Sequence, residues 1–303
     1  VRTIGQQEVV QRGFPRLPLV HAAITALYRG LTPEVVRSFG TSVLPVDVAF
    51  GDEEELTAGV RRIARIMVRH LGLPDARISV NFRSMPEAAW VELTDGPEYA
   101  VELHPRFDVH RRDIGAVLAH EVTHVLLHRA GLAQPDTVTN EVFTDTAAAY
   151  LGAGWLLLDA FRRDSLTSQK LGYLTPEEYG YVLAKRAEVF GEDPRVWFTS
   201  PHAYEAYAKG LRLAEREAAQ PPLAGAGWAS RQRYAAQRRL ALSTGNGFPQ
   251  SGSYRFEPGT AGREGTARVL FDCPVCRARI RLPVRGRVRA RCGVCRTVLD
   301  CDT

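Results

Sequence analysis

HEVTHVLLH, running from His120 to His128, places three histidines at four-residue intervals with a glutamate directly after the first. On an α-helix, residues i and i+4 stand one above the other on one face, so His120 and His124 can aim both imidazoles at one ion. His128 lies eight residues from His120, about 12 Å along the axis at ~1.5 Å per residue. That is too far to share one tetrahedral ion, so His128 reads as a neighbour or a surface residue. Glu121 binds no metal in the H-E-x-x-H arrangement, which instead turns its carboxylate to the water on the ion. A further ligand has to come from another segment.

The stretch TNEVFTDTAAAYLGAG offers Glu141 and, four residues on, Asp145. Both fall on one face of the next helix, whose opposite side is rich in Ala and Leu. Here the sequence resembles the gluzincin metallopeptidases, which carry HExxH on one helix and N-E-x-x-x-D on the next. The second pattern is Asn140-Glu141-Val142-Phe143-Thr144-Asp145. The resemblance covers about Val101 to Leu158. It implies that Glu141 is the third zinc ligand and that Asp145 orients His120, as ligating imidazoles commonly need. The interval from His124 to Glu141 is shorter than in the best-known gluzincins, which implies a compact catalytic core. The metzincin pattern fails, because Ala130 stands where its third histidine belongs.

Three ligands leave a coordination position open for water, the arrangement of a catalytic zinc. Glu121 is then the general base that takes the water's proton and delivers it to the leaving amine. For the oxyanion donor the downstream helices offer His202, Tyr204, Tyr181 and Tyr179, of which His202 is the preferred candidate. In the resembled family an edge strand before the HExxH helix holds peptide by strand addition. EYAVELHP occupies that place, and it reads equally as a plain sheet strand.

Cysteine usage points to a second metal. All five cysteines follow residue 270, and four form two Cys-x-x-Cys pairs, Cys273/Cys276 and Cys292/Cys295. Fifteen residues separate the pairs, and this intervening segment reads as a hairpin. The spacing is that of a zinc ribbon with four closed ligands, so this zinc is structural. Cys301 is left as a spare thiol. Within the ribbon, arginines recur at every second position (Arg277, Arg279, Arg281, then Arg285, Arg287, Arg289, Arg291), which puts each group on one strand face. That surface suits nucleic-acid phosphates or an acidic protein partner, or it is a solvated face offsetting the four thiolates. Residues 268–303 carry nine arginines against three aspartates, +6 of the chain's +5, so the remainder is −1.

The rest of the chain supplies a frame for these sites. Helices are predicted over LVHAAITALYRG, TPEVVRSFG and DEEELTAGVRRIARIMVRHLGL. Strands are predicted over RISVNF, AAWVELT and EYAVELHP, the last two joined by a turn at Asp95-Gly96. Two long helices follow, roughly Asp113 to Ala130 and Val138 to Phe161, then TPEEYGYVLAKRAEVFG, SPHAYEAYAKGLRLAEREAAQ and the basic RQRYAAQRRLAL. STGNGFPQSGSYRFEPGTAGREG reads as a flexible linker, and no internal repeat is evident. The expected class is α+β: a zincin-like core of small antiparallel sheet on helices, plus a β zinc ribbon. The expected segments are an N-terminal helical region 1–50, a catalytic domain 51–220, a basic helix and linker 221–267, and the ribbon 268–303.

The 303 residues are 45% hydrophobic and 24% charged, a globular composition. The longest weakly polar run, Ala147 to Leu158, has twelve residues, short of the ~20 that span a bilayer. VRTIGQQEVVQRGFPRL contains no apolar signal core, and a cytoplasmic location away from membranes is expected. The leading expectation is an intracellular zinc metallopeptidase acting on protein or peptide, holding one catalytic and one structural Zn2+, whose ribbon recruits substrate or partner. Two alternatives stand beside it. SprT-like proteases acting on DNA-bound proteins also pair HExxH with a zinc ribbon, but take a third histidine that is not evident here. A catalytically silent zincin scaffold working as a nucleic-acid or protein adaptor is the other.

Overall fold

The computed structural model describes residues 11–51, 53–85, 88–91, 98–163, 168–169, 171–244, 252–258 and 267–303. It is a mixed α+β chain that divides into two compact units, Val1–Leu211 and Arg212–Thr303. The Asp95-Gly96 turn and stretches 245–251 and 259–266 of the expected linker lie outside the described residues.

The first unit is mainly helical: α1 (Leu17–Gly30), α2 (Thr32–Ser38), α3 (Pro45–Val48), α4 (Leu56–His70), α5 (Ile114–Arg129), α6 (Thr137–Ala148), α7 (Gly154–Asp159), α8 (Pro176–Phe190) and α9 (Pro201–Ala218), of which only the part up to Leu211 counts to this unit. Local chemistry sets the ends. Glu55 caps α4 by accepting from the Thr57 and Ala58 amides, and Thr175 with Glu178 forms a reciprocal capping box on α8. On α4 the buried residues Val60, Ile63 and Met67 recur at three and four, as the apolar periodicity requires.

A three-stranded sheet in the order β1-β3-β2 is built from β1 (Arg77–Phe82), β2 (Ala89–Val91) and β3 (Glu98–Leu103). β1 pairs parallel with β3, setting Ile78 opposite Tyr99, and β2 pairs antiparallel with it, setting Val91 opposite Val101. EYAVELHP is therefore the central strand and not the edge strand expected above. β1 returns alongside it through parallel pairing, which local sequence does not announce. Among the described residues β2 is an edge, and it is the strand that packs on α5. α4 packs on β1 and α5, while α1 packs on α6 and α8. The N-terminal helices thus complete the core around the two motif-bearing helices. Tyr28 on α1 meets the Tyr150 hydroxyl at 3.0 Å beneath them.

The single helix expected over Val138–Phe161 is interrupted. α6 gives way to a wide π-type turn, Ala149–Ala153, in which Gly152 takes φ +119 before α7 begins. A Cβ at Gly152 would press on the His70 ring and the Ser42 backbone. The carbonyls freed by the break find donors elsewhere. Tyr150 O accepts from buried Arg186 at 2.8 Å, Leu151 O from His70 Nε2 at 2.8 Å, and Gly152 O from the Val43 amide at 3.0 Å. Two short strands, β4 (Arg162–Arg163) and β5 (Ser168–Gln169), pair antiparallel before α8.

The second unit holds α10 (Trp228–Thr244) and strands β6 (Tyr254–Glu257), β7 (Arg268–Asp272), β8 (Arg279–Pro283), β9 (Arg287–Arg291) and β10 (Val298–Asp302). Its two sheets are β6-β7-β8 and β10-β9. Three expectations change here. The segment between the cysteine pairs is not a hairpin, because β8 pairs with β7 and β9 with β10. Part of the expected linker is β6, bonded along β7. A repeat does exist: RVLFDCPVCR and RVRARCGVCR are two strand–knuckle units, Cys273 and Cys292 heading equivalent turns. Tyr234 of α10 stacks on Phe256 at 5.4 Å and meets Tyr254 edge-on at 4.9 Å. Such aromatic pairs contribute about 0.5–1.5 kcal/mol each beyond burial, so the ribbon rests on an aromatic core that its cysteines alone do not reveal.

No helix among the described residues is long and apolar enough to cross a membrane.

His70 supplies a pH test of the π-turn. Burial lowers its pKa from the ordinary 6.5, outweighing the hydrogen bond to Leu151 O. The unfolded chain therefore takes up this proton first as pH falls. The stabilisation is complete above 6.5 and is lost as pH drops from there through the native pKa. Chemical unfolding from pH 8 to 5 is expected to show this loss, and His70→Gln, which keeps a donor for Leu151 O, is expected to flatten it.

Candidate metal centres

Three ligand atoms converge between α5 and α6. His120 Nε2 lies 3.0 Å from His124 Nε2 and 3.0 Å from Glu141 Oε2, and His124 Nε2 lies 3.5 Å from Glu141 Oε1. Donors held about 2.0–2.1 Å from a tetrahedral zinc stand roughly 3.3 Å apart, so this triangle has the size of one coordination sphere. Helix geometry explains the pair of histidines, one turn apart on α5, and Glu141 enters from the first turns of α6.

Proton accounting leads to the same conclusion. His120 Nδ1–H donates to Asp145 Oδ1 at 2.7 Å, both side chains being fully buried. His124 Nδ1 lies 3.1 Å from Thr144 Oγ1, whose own proton goes to the Asn140 carbonyl at 2.9 Å. The Asn140 amide nitrogen stands farther from the same ring atom, at 3.4 Å. With both Nδ1 atoms engaged, the two Nε2 atoms and a carboxylate face one another, and without a metal only a proton on Nε2, shared with Glu141, can sit between them. A metal cation would take the place of that proton.

Electrostatics follow the geometry. Burial alone lowers the His120 pKa, but the Asp145 carboxylate and the Glu141 hydrogen bond outweigh it and push it up to about 9. Burial raises Glu141 and Asp145, yet the imidazoles hold both carboxyls below their ordinary values.

Asp145 is held in turn by a loop. The Leu174 amide donates to its Oδ2 at 3.1 Å and the Tyr173 amide donates to the same oxygen, while the Tyr179 hydroxyl, which donates to the Leu171 carbonyl at 3.4 Å, stands beside the carboxylate. Gly172 sits there at φ +81, where any Cβ would collide with the Tyr179 hydroxyl and both Asp145 oxygens. Tyr179, considered above as an oxyanion donor, instead holds a loop carbonyl beside that carboxylate. The sequence carried a signal for this loop only in its lone glycine, within KLGYLT.

Glu121 is buried directly after His120 on α5. His128 is exposed and stays outside the cluster. The other candidates have contacts of their own. His202 packs edge-on against Phe161 at 5.7 Å, Tyr181 meets His21 at 3.0 Å, and Tyr204 donates to the Arg195 carbonyl at 2.9 Å. Two of the three ligands are partly reached by solvent: the His120 side chain is 0% exposed, His124 13% and Glu141 17%.

In the second unit Cys273, Cys276, Cys292 and Cys295 bring four buried sulfurs within 4.8 Å of one another. Cys273–Cys295 and Cys276–Cys292 are 3.6 and 3.5 Å apart, against about 3.8 Å for sulfurs bound at ~2.3 Å to a tetrahedral zinc. The two knuckles share one backbone device. The Arg277 amide bonds Cys273 O and the Arg296 amide bonds Cys292 O, with both arginines at φ +60. Cys301 is buried on β10 outside the cluster, its thiol pushed up to about 11 by burial.

The donor sets suit zinc at both places: imidazole with carboxylate at one, four thiolates at the other. Compared with known proteins, the chain matches no family model, no curated protein and no solved structure.

Elemental analysis is expected to find two zinc ions per chain, His120→Ala and Cys292→Ser each removing one. Tyr179→Phe and Asp145→Asn are expected to weaken zinc at the histidine site by about 10–100-fold in chelator competition, leaving the thiolate site unchanged.

Proposed function

We propose that the first unit is a zinc-dependent peptidase of the gluzincin kind and that the second is a zinc ribbon held by a structural ion. The observation that carries this reading is the convergence of His120, His124 and Glu141 on one point, with no fourth His, Cys, Asp or Glu in the group among the described residues. A closed four-ligand set would leave no room for a reactant, whereas three ligands do.

Zinc supplies a Lewis acid that lowers the pKa of water to about 7 and polarises a carbonyl. The protein's part is to place and move protons around it. Asp145 keeps the His120 Nδ1 proton in place, so Nε2 is the nitrogen that presents its lone pair. Thr144 does the same for His124. Glu121 accepts the proton of the attacking water and passes it to the departing amine nitrogen, one carboxylate serving both transfers. β2, whose outer edge is unpaired among the described residues and which packs on α5, is the strand suited to hold an extended peptide by main-chain bonding. It takes over the role expected of EYAVELHP.

A carboxylate as third ligand supports the gluzincin reading over the SprT-like one, which needs a third histidine. His202, whose ring packs edge-on against Phe161, is kept as the candidate oxyanion donor.

Glu121→Gln is expected to retain both zinc ions and lose hydrolysis of an unfolded protein such as casein by about 10²–10⁴-fold. Undiminished cleavage by that variant contradicts the mechanism, and no cleavage by the zinc-loaded parent protein favours the silent scaffold.

A further inference from the structure

The arginines of the second unit are not used by a peptidase centre. Residues 212–303 contain 17 arginines and no lysine against 7 acidic residues, a net +10, whereas residues 1–211 carry −5. Four thiolates with one zinc add only −2, and they are buried.

Most of the unit's carboxylates are already engaged. Glu257 holds Arg255 and Arg281 at 3.2 and 3.1 Å, and Asp272 holds Arg277 and Arg279 at 3.3 and 3.7 Å. Asp302 is taken by Arg231 and Arg238 of α10, at 3.0 and 3.1 Å. Exposed arginines without a carboxylate partner among the described residues also stand at Arg212, Arg216, Arg233, Arg239 and Arg268, but the closest run of arginines in the sequence lies on β9 and the turn before it. Arg285, Arg287, Arg289 and Arg291 are all exposed. Arg289 has Asp300 at 3.6 Å across the ladder, while the other three have no carboxylate partner among the described residues.

β9 is also an edge. β10 pairs along one side, and β10 is bridged on its far side by Leu223. Among the described residues nothing pairs with the outer side of β9. Alternate residues on a strand lie about 6.7 Å apart, so Arg287, Arg289 and Arg291 mark out a line of roughly 13 Å along β9, with Arg285 in the turn that leads into it.

We propose that this arginine edge binds the phosphate backbone of double-stranded nucleic acid without reading its sequence. Evenly spaced charges of one sign along a straight rim match a uniform polyanion, and guanidinium forks suit phosphate oxygens. No aromatic side chain stands on β9 or β10, which removes the stacking platform that single strands use. An acidic protein partner would want apolar anchors at the centre of its interface. The arginines on β9 have only Asp302, Asp300 and Val298 opposite them. The proposal is independent of the peptidase reading.

The test measures fluorescence anisotropy of a labelled duplex of about 20 base pairs titrated with the full zinc-loaded chain. Three phosphate contacts give a salt slope of about −2.7, an affinity loss of roughly 40-fold between 50 and 200 mM salt. Arg285→Gln/Arg287→Gln/Arg291→Gln is expected to abolish that slope and most binding. Arg29→Gln/Arg65→Gln/Arg69→Gln removes the same charge from exposed helix positions of the first unit and is expected to change neither. Unaltered ribbon zinc content shows that the variant is folded. Equal binding by the two triple variants overturns the proposal, as does tighter binding to the single strand or to a polyglutamate peptide.

Discussion

Asp145 and His120 meet at 2.7 Å where solvent reaches neither side chain. A buried carboxylate is costly unless its acceptor capacity is filled, and the structure around it is organised to fill it. The imidazole arrives from α5, the carboxylate from α6, and the remaining donors from the loop that leads into α8. Gly172 is the residue that permits the loop to close over the oxygens. One contact thereby ties three elements together and fixes which nitrogen of His120 faces His124 and Glu141. With His124 held in the same way by Thr144, the coordinating face is set by hydrogen bonds behind the ligands.

This also explains why α6 ends where it does. Asp145 and Glu141 need a regular helix to share a face, and just beyond them the π-turn redirects the chain. Its cost, three carbonyls without helical partners, is met by Arg186, His70 and Val43. Arg186 is itself balanced by Glu192 at 2.8 Å, so the polar groups of the break form a satisfied network.

Glu141 was implied by the resemblance, whereas the meeting of His120 and His124 was legible in the sequence because four-residue spacing and helix geometry are local. The same holds for the thiolate pairs, in which two sulfurs converge from a tight turn. Long-range pairing was not legible. β1 reaches β3 across the sheet in parallel, so EYAVELHP reads as an edge strand until its second neighbour is seen. β6 is four residues inside a Gly- and Ser-rich stretch, and its pairing with β7 outweighs that composition. Tyr179 illustrates the same limit, since its sequence context says nothing about the carboxylate it meets. The repeat of the two knuckles rests on few shared residues, and it becomes evident through Arg277 and Arg296 adopting the same unusual backbone.

The central claim is that His120, His124 and Glu141 hold one zinc ion between α5 and α6. Anomalous diffraction at the zinc edge from crystals of the full chain tests it directly. The account predicts two peaks, one enclosed by the four cysteines and one about 2.0–2.1 Å from His120 Nε2, His124 Nε2 and a Glu141 oxygen. A single peak at the cysteines in zinc-saturated crystals, or a second ion bound without Glu141, would contradict it.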